Sequence, residues 1–356
     1  MRYISKHVRK DLKKKMVFLT GPRQSGKTTL AKQFLKDTRG HYLNWDDPDQ
    51  RKLILKRDWA DEDKLIIFDE LNKISRWKNF VKGTYDNQKD QHHFIVTGSA
   101  KLDVYKKGQD SLLGRFFSWR LHPLCLSELK HFFDESGTES LRKLLTLGGF
   151  PEPYFEANER FAKRWRQEKM RLVFRQDIQE LGSIKDISLL EMFYAALTER
   201  VSGEVVLSNI ARDLEIAPKT AKAWLNVLEK TYAVFSVRPY GKGTAKAILK
   251  TPKVYFYDNG EVSGDEGVKF ENLVASHLLK RIQFLEDLTG DAYELCYLRD
   301  KLGHEVDFVV VKNKKPVMLI EAKLSDSTRS RSLYFYKERL KVPKCVQLVL
   351  TPQVTS

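Results

Sequence analysis

The chain has 356 residues, enough for two or three domains with cores of their own. It contains 42% hydrophobic and 31% charged residues, and basic residues exceed acidic ones by 16, which predicts a polyanionic partner, most often nucleic acid, with generic basic solubility as the alternative. The 3 cysteines have neither zinc nor disulfide spacing and indicate a reducing cytoplasm. No segment has the length and apolarity of a signal peptide or a membrane span, so no membrane association is expected.

The first informative stretch is "MVFLTGPRQSGKTTLAKQFL", which predicts a strand over residues 16–20, a loop and then a helix. The loop matches G-x-x-x-x-G-K-[ST] in full. In that pattern, backbone N–H groups and a helix N-terminus converge on phosphate oxygens, the lysine reaches the β- and γ-phosphates, and the last hydroxyl binds Mg²⁺. The predicted nucleotide-binding residues are Gly21, Pro22, Arg23, Gln24, Ser25, Gly26, Lys27, Thr28 and Thr29.

Two later strands supply candidates for the same site. "KLIIFDELN" places Asp69 and Glu70 at the end of a buried strand, where Asp69 would help Thr28 to hold Mg²⁺ and Glu70 would polarise the attacking water. "HFIVTGSA" ends in Ser99, which is expected to sense the γ-phosphate. "SLLGR" contains Arg115, expected to stabilise transition-state charge, with an ordinary surface salt bridge as the alternative.

These motifs resemble the AAA+ branch of P-loop ATPases. More narrowly, "LTGPRQSGKTTL", "IIFDE", "VTGSA", "SLLGR" and "GGFPEPY" are similar to a large prokaryotic ATPase family that carries a further C-terminal domain. The resemblance covers nearly the whole chain. It implies a three-layer α/β ATPase core, ATP and Mg²⁺ as cofactors, and a homo-oligomer, such as a ring, if Arg115 acts on a neighbouring subunit.

The middle of the chain is helical in pattern and contains a helix-turn-helix signal. Ser208 is expected to cap one helix, and Pro218 to lie in the first turn of the next. A β-ribbon wing is expected between residues 235 and 257. Such a second helix can enter a major groove with its N-terminus first, and the alternative is a helical hairpin used only for packing. The predicted DNA-binding residues are Lys219, Thr220, Lys222 and Lys242.

"EVDFVVVKNKKPVMLIEAK", residues 305–323, predicts a β-hairpin with a three-residue turn over 313–315. With Lys312 opposite Pro316, Asp307 faces Glu321 and Glu305 faces Lys323, so that all four charges share one face. Opposed carboxylates in an apolar sheet repel each other unless a cation lies between them, and Mg²⁺ suits an all-oxygen site.

Asp307 and Glu321-Ala322-Lys323 look like the signature of the PD-(D/E)xK nuclease fold. The resemblance implies a second Mg²⁺ site formed by Asp307, Glu321 and Glu271, with Lys323 beside it. The alternative is a structural network that pairs Glu305 with Lys323, and Asp307 with Arg299 or another base.

The resulting prediction has four parts: an AAA+ core (1–130), a helical lid or connector (131–188), a winged helix-turn-helix (189–252) and a restriction-endonuclease-like α/β domain (253–356). The predicted function is an ATPase that couples ATP turnover to binding or remodelling of duplex or branched DNA. Two alternatives are an ATP-regulated, Mg²⁺-dependent nuclease and a nucleotide-dependent switch that assembles protein partners.

Overall fold

The computed structural model describes residues 2–74, 76–98, 112–132, 136–178, 184, 186–241, 251–325 and 330–351. The chain divides into two compact units: Met1–Glu135 with Lys230–Tyr232, and Ser136–Glu229 with Ala233–Ser356. Within the described residues, no helix combines the length and apolarity that crossing a bilayer requires.

The N-terminal unit is built on a five-stranded sheet in the order β2-β3-β4-β1-β5, and all neighbouring strands are parallel. Its strands are β1 (Met16–Thr20), β2 (Gly40–Asn44), β3 (Leu65–Asp69), β4 (His93–Thr97) and β5 (Phe116–Arg120). Its helices are α1 (Ser5–Leu12), α2 (Lys27–Phe34), α3 (Pro48–Lys56), α4 (Trp77–Gln88) and α5 (Leu126–Phe132). Every residue of β1 and β3 is buried, as expected for apolar runs in a sheet that is covered on both faces.

The parallel order brings three strand ends to one edge of this sheet. Strand β4 lies between β1 and β3, so the loop after β1 lies beside the carboxyl ends of the other two strands. Ligands of open α/β sheets bind at this edge. Side chains at the ends of β1, β3 and β4 can therefore meet there.

The C-terminal unit combines helices with a mixed six-stranded sheet. Its helices are α6 (Gly137–Leu147), α7 (Pro151–Glu156), α8 (Glu159–Leu172), α9 (Ile187–Thr198), α10 (Leu207–Asp213), α11 (Pro218–Lys230), α12 (Glu266–Thr289) and α13 (Arg331–Leu340). Its strands are β6 (Val234–Pro239), β7 (Lys253–Phe256), β8 (Tyr293–Arg299), β9 (Glu305–Lys312), β10 (Lys315–Ser325) and β11 (Lys344–Thr351). The sheet order is β11-β10-β9-β8-β6-β7.

The domain boundary expected at residue 252 falls inside this sheet. Strands β6 and β7 pair in antiparallel fashion, with Val234 opposite Phe256, as a ribbon would. Strand β6 also pairs in parallel with β8, where Arg238 is opposite Cys296. The predicted wing and the predicted nuclease-like part therefore share one continuous sheet.

The two helices of the predicted helix-turn-helix are present as α10 and α11. Helix α11 begins at Pro218 as expected, because proline needs no N–H partner in a first turn. The predicted cap at Ser208 is wrong: α10 begins at Leu207, and its N-cap residue Val206 makes no side-chain cap. Trp224 of α11 packs edge-on against Phe193 of α9, with ring centroids 5.8 Å apart.

The β9–β10 hairpin has a different turn from the predicted one, but beyond a bulge it has the predicted strand register. Its turn has two residues rather than three, because Lys312 pairs with Lys315, while Asn313 and Lys314 adopt positive φ values of 49° and 67°. A bulge between Pro316 and Met318 then adds the missing residue. Beyond the bulge the register is the predicted one, and it leads towards Asp307 and Glu321.

Candidate nucleotide site and a charged cluster in the C-terminal unit

The phosphate-binding loop connects β1 to α2 and has a backbone that requires glycine at its first position. Gly21 has a φ of +130°, and a Cβ there would lie 2.4 Å from the carbonyl oxygen of Leu121. Gly26, with a φ of +93°, is the N-cap residue of α2. The sequence pattern thus corresponds to a loop that closes on the adjoining strand and ends at a helix N-terminus, the geometry that suits phosphate.

Lys27 is 8% exposed and folds back over its own loop. Its ammonium donates to the carbonyl oxygens of Gly21 at 3.0 Å and Pro22 at 2.7 Å. Paired in this way, the charge can be buried at the mouth of the loop without a large desolvation penalty.

Asp69 is the centre of a hydroxyl network at the end of β3. Its Oδ2 atom accepts hydrogen bonds from Thr28 at 2.9 Å and from the Tyr42 phenol at 2.7 Å, and its Oδ1 atom accepts one from the Thr97 hydroxyl. The structure therefore brings together the two predicted Mg²⁺ ligands of the nucleotide site, Thr28 and Asp69. Tyr42 and Thr97 were missed by the sequence analysis. Thr97 stands in the quoted strand "HFIVTGSA", whereas Tyr42 carries no motif.

Glu70 follows directly and adopts a left-handed backbone conformation with a φ of 59°. Burial raises the pKa of this carboxyl, Lys73 at 3.7 Å opposes the rise, and repulsion from Asp69 adds to it. Arg23 and Lys27 also act to lower this pKa, so Glu70 lies within electrostatic reach of the phosphate-binding loop.

Arg115 is engaged within its own subunit. Its guanidinium donates to both carboxylate oxygens of Asp86 on α4, at 2.7 and 3.0 Å. This is the salt bridge that the sequence left open as the alternative, and the role between subunits stays a prediction. Ser99, the predicted γ-phosphate sensor, lies outside the described residues.

A buried ion pair near the N-terminus was not predicted from the sequence. Arg2 donates to Glu128 at 2.6 Å and to the backbone carbonyl oxygen of Ser25 at 2.8 Å. The side chains of Arg2 and Glu128 are 9% and 2% exposed, so this ion pair holds the phosphate-binding loop from a buried position. Its partners are 126 residues apart in sequence, which no local pattern could reveal.

In the C-terminal unit, the four residues predicted for a nuclease-like site come together. The Glu271 carboxylate accepts a hydrogen bond from Tyr255 at 2.6 Å, and that of Asp307 accepts one from the Ala322 backbone N–H at 2.9 Å. Glu321 pairs with Lys323 at 2.8 Å. Repulsion from Glu271 and Glu321 acts on Asp307, which places these carboxylates close together.

A buried lysine that the sequence analysis did not single out lies among these acids. The side chain of Lys253 on β7 is 3% exposed. Its ammonium is 2.7 Å from Glu305, 3.5 Å from Glu271 and 4.0 Å from Asp307. We call Lys253, Glu271, Glu305, Asp307, Glu321 and Lys323 the charged cluster.

Electrostatics in the charged cluster follow from burial and crowding. Burial first, and then repulsion from Glu271, raises the pKa of Asp307 to about 7. Burial acts to lower the pKa of Lys253, but Glu271, Glu305 and Asp307 outweigh it and the net shift is upward. Lys253 therefore carries its charge at neutral pH.

The predicted second Mg²⁺ site finds no support in this geometry. Among the described ranges, no set of three or more His, Cys, Asp or Glu side chains is arranged to hold a metal ion. The pairing of Glu305 with Lys323 expected under the structural alternative is not the observed one either. Glu305 instead pairs with Lys253, while Lys323 pairs with Glu321.

The predicted DNA-binding helix borders a groove. Lys219 and Lys222 of α11 are exposed and Thr220 is half-buried, while Lys242 lies outside the described residues. The two lysines and Arg238 line a cavity of about 530 Å³. Its apolar walls include Val205 and Leu225. Glu229 also lines this cavity, so three basic side chains face one acidic one, and we call the cavity the basic groove.

The phosphate-binding loop, the parallel sheet and the Thr28–Asp69 contact are those of a P-loop nucleotide-binding domain. In agreement, residues 13–130 match the family model described as "AAA domain", which supports ATPase activity. Residues 138–263 and 266–354 match two further models, "Domain of unknown function (DUF8612)" and "Domain of unknown function (DUF4143)".

Similar proteins include "Uncharacterized protein MJ1544" of Methanocaldococcus jannaschii, which is 23% identical in an alignment of 375 positions, gaps included, that covers 95% of this chain and 82% of that protein. Among solved structures, a single-residue variant of RuvB from Thermotoga maritima aligns at 15% identity and a TM-score of 0.33, covering 65% of this chain and 88% of that one. The Orc1 protein of Aeropyrum pernix in complex with DNA aligns at 11% identity and a TM-score of 0.35, covering 79% and 94%.

Proposed function

We propose that this protein is an ATPase that binds DNA and couples ATP turnover to that binding. The observation that carries the nucleotide part is the contact of 2.9 Å between Thr28 and Asp69. It joins the end of the phosphate-binding loop to the end of β3, as a shared Mg²⁺ site requires. The carboxyl and hydroxyl oxygens are the ligands that Mg²⁺ prefers.

The residues of the loop divide the work of nucleotide binding. Backbone N–H groups over 21–28 would hold the phosphates, and the Lys27 ammonium would exchange its carbonyl partners for β- and γ-phosphate oxygens. Bound Mg²⁺ would neutralise charge on the same phosphates, held from Thr28 and Asp69. Glu70 would orient and polarise the attacking water.

ATP hydrolysis by the purified chain tests this assignment. We expect Lys27→Ala and Asp69→Asn each to lower the rate at least about 100-fold, because each removes charge stabilisation at the transferred phosphoryl group. Lys36→Ala, which removes an exposed lysine beyond the end of α2, is the matched control and should keep wild-type turnover. Equal turnover in all four proteins would refute the assignment.

The basic groove beside α11 supports the DNA part of the proposal. Lys219 and Lys222 project from the first half of α11, and Arg238 of β6 lines the same groove. Three basic side chains against one acidic one, Glu229, give the groove a net positive charge that suits the phosphate backbone, and the net charge of +16 suits long-range attraction to it.

A charge-matched pair of double variants tests the groove. Lys219→Ala with Lys222→Ala removes two cations from the groove, and Lys314→Ala with Lys315→Ala removes two exposed cations at the β9–β10 turn. We expect only the first pair to weaken duplex binding by about tenfold or more and to reduce DNA stimulation of ATP turnover. Equal losses in both would indicate a general charge effect and count against the groove.

The panel of DNA ligands should include single-stranded, duplex, forked and four-way molecules, because the groove does not specify one form. The same tubes, analysed for cut strands, also test the nuclease alternative. That alternative and the protein-assembly alternative stay predictions. An assembly into rings through Arg115 likewise stays a prediction, for which Arg115→Ala and sedimentation with ATP are the measurements.

A further inference from the structure

The charged cluster contains a lysine at the place where a metal ion would be expected. The Lys253 ammonium contacts Glu305 and Glu271 through their Oε1 atoms and Asp307 through Oδ1. These carboxylates come from α12 and β9, and Lys253 itself comes from β7. One buried cation therefore serves carboxylates from two different elements.

Such burial is stable only because the ammonium is paired on several sides. An ammonium whose side chain is 3% exposed loses most of its hydration, and nearby carboxylates must offset that loss. The carboxylates in turn require a nearby positive charge, because repulsion between them favours protonation. Lys253 acts to lower the pKa of Asp307, and Asp307 acts to raise the pKa of Lys253, so each favours the charged form of the other, although burial still leaves the pKa of Asp307 raised.

The remaining charges nearly complete the balance. Glu305 also lies 3.7 Å from Arg299 through its second oxygen, and Glu321 pairs with Lys323. Four acids, namely Glu271, Glu305, Asp307 and Glu321, thus face three bases, Lys253, Lys323 and Arg299. A divalent cation added beside Lys253 would bring further positive charge against an ammonium whose side chain is only 3% exposed, which is unfavourable.

One buried acceptor in the charged cluster has no hydrogen-bond donor among the described residues. This acceptor is Glu321 Oε2, and water cannot easily replace the missing donor because the side chain is only 8% exposed. Glu321 is next to Ala322, whose backbone N–H binds Asp307. The cluster therefore retains an unpaired acceptor beside carboxylates whose other oxygens are already directed at Lys253.

We propose that Lys253 is the resident cation of the charged cluster, and that a divalent cation binds there only when the lysine ammonium is removed. The wild-type C-terminal unit then holds no metal at these acids, and any nucleic acid bound by this unit is retained rather than cut. This inference is independent of the ATPase proposal, because every residue in it belongs to the C-terminal unit.

Mn²⁺ binding in the absence of nucleotide tests the proposal. All proteins carry Asp69→Asn to remove the metal site of the N-terminal unit. Titration calorimetry and thermal melting compare the parent with Lys253→Met, with Lys253→Met combined with Asp307→Asn, and with Lys312→Met. Lys312 is the matched control, because it belongs to the same sheet and pairs with Asp291 at 2.8 Å.

We expect the parent and Lys312→Met to show no Mn²⁺ binding at the cluster. Lys253→Met should melt at a lower temperature, regain stability as Mn²⁺ is added, and bind Mn²⁺ at least about tenfold more tightly than any residual binding by the parent. Adding Asp307→Asn should abolish that gain. A folded Lys253→Met protein without a gain would overturn the proposal.

A second test compares the parent with Asp307→Asn and does not require Lys253→Met to fold. Mn²⁺ binding by the parent that disappears in Asp307→Asn would overturn the proposal, since the metal would then coexist with the lysine. Identical Mn²⁺ titrations of the parent and Asp307→Asn would support it.

Discussion

Asp69 illustrates how three neighbouring hydroxyl groups can fix the orientation of one carboxylate at the end of a strand. Thr28, Tyr42 and Thr97 come from α2, β2 and β4, and their hydroxyls all donate to it. Burial and the bond to Asp69 raise the pKa of Tyr42, so the phenol remains a donor throughout the neutral range. We regard Tyr42 as a positioning residue that fixes the orientation of Asp69.

Removal of the Tyr42 hydroxyl should therefore act on metal affinity. We expect Tyr42→Phe to raise the half-saturating Mg²⁺ concentration for ATP hydrolysis about three- to tenfold, since hydrogen bonds to charged groups contribute roughly 1.5–3 kcal/mol before compensation by neighbours. The maximal rate should change by less than about twofold. Tyr334→Phe, at an exposed tyrosine of α13, is the control. A fall in maximal rate with an unchanged Mg²⁺ requirement would contradict this role.

The cysteines should differ in reactivity. Burial raises the pKa of the Cys296 thiol to about 12, so almost no thiolate is present at pH 8. Cys345 is only partly buried. Alkylation of the native protein at pH 8, followed by peptide mass analysis, should modify Cys345 well before Cys296. Since the thiol of Cys296 stays protonated in the fold, its contribution to stability should decline only above about pH 9.

At the scale of elements, "GGFPEPY" is a structural junction of the C-terminal unit. Gly148 ends α6 with a φ of +79°, and a Cβ there would lie 2.0 Å from Asp258 Oδ1. Asp258 itself is buried and paired with Lys169 at 3.0 Å. Pro151 then begins α7 in the position where proline is tolerated. The motif thus joins α6 to α7 against the turn after β7.

Gly148→Ala should destabilise this unit by about 2–4 kcal/mol, because both the left-handed backbone and the contact with Asp258 oppose a methyl group. Urea unfolding followed by circular dichroism measures the loss. Gly137→Ala is the control, since it lies in the first turn of α6 and a Cβ there would meet no atom of the described chain within 4 Å, its own neighbours aside. Equal stability of the two variants would refute the argument.

Local pattern predicted the elements better than the contacts between them. The apolar runs of β1 and β3 and the glycine spacing of the loop were sufficient to place Thr28, Asp69 and Glu70. The hairpin turn was wrong by one residue because a bulge is invisible in a two-residue periodicity, yet the same bulge restored the predicted register. Lys253 could not be found this way, since its partners lie 18 to 54 residues further along the chain.

At the scale of the whole molecule, the net charge of +16 and the proposed DNA contact together predict an affinity for DNA that falls steeply with salt. Plots of log affinity against log salt should be linear, and the loss of Lys219 and Lys222 should reduce the slope by about 1.8 if each contacts one phosphate. Fluorescence anisotropy from about 50 to 300 mM KCl measures this slope. Unchanged affinity over that range would contradict a phosphate-driven interaction.

The pairing of β6 with β8 implies that the two matched regions of the C-terminal half depend on each other for folding. The two families matched in the C-terminal half meet between residues 263 and 266, yet β6 and β7 of the first adjoin β8 to β11 of the second in one hydrogen-bonded sheet. A protein that contained only one of these two regions would expose the edge of β6 or β8, and such an exposed edge can pair with strands of other proteins. Gene rearrangements should therefore keep the basic groove and the charged cluster together in one protein.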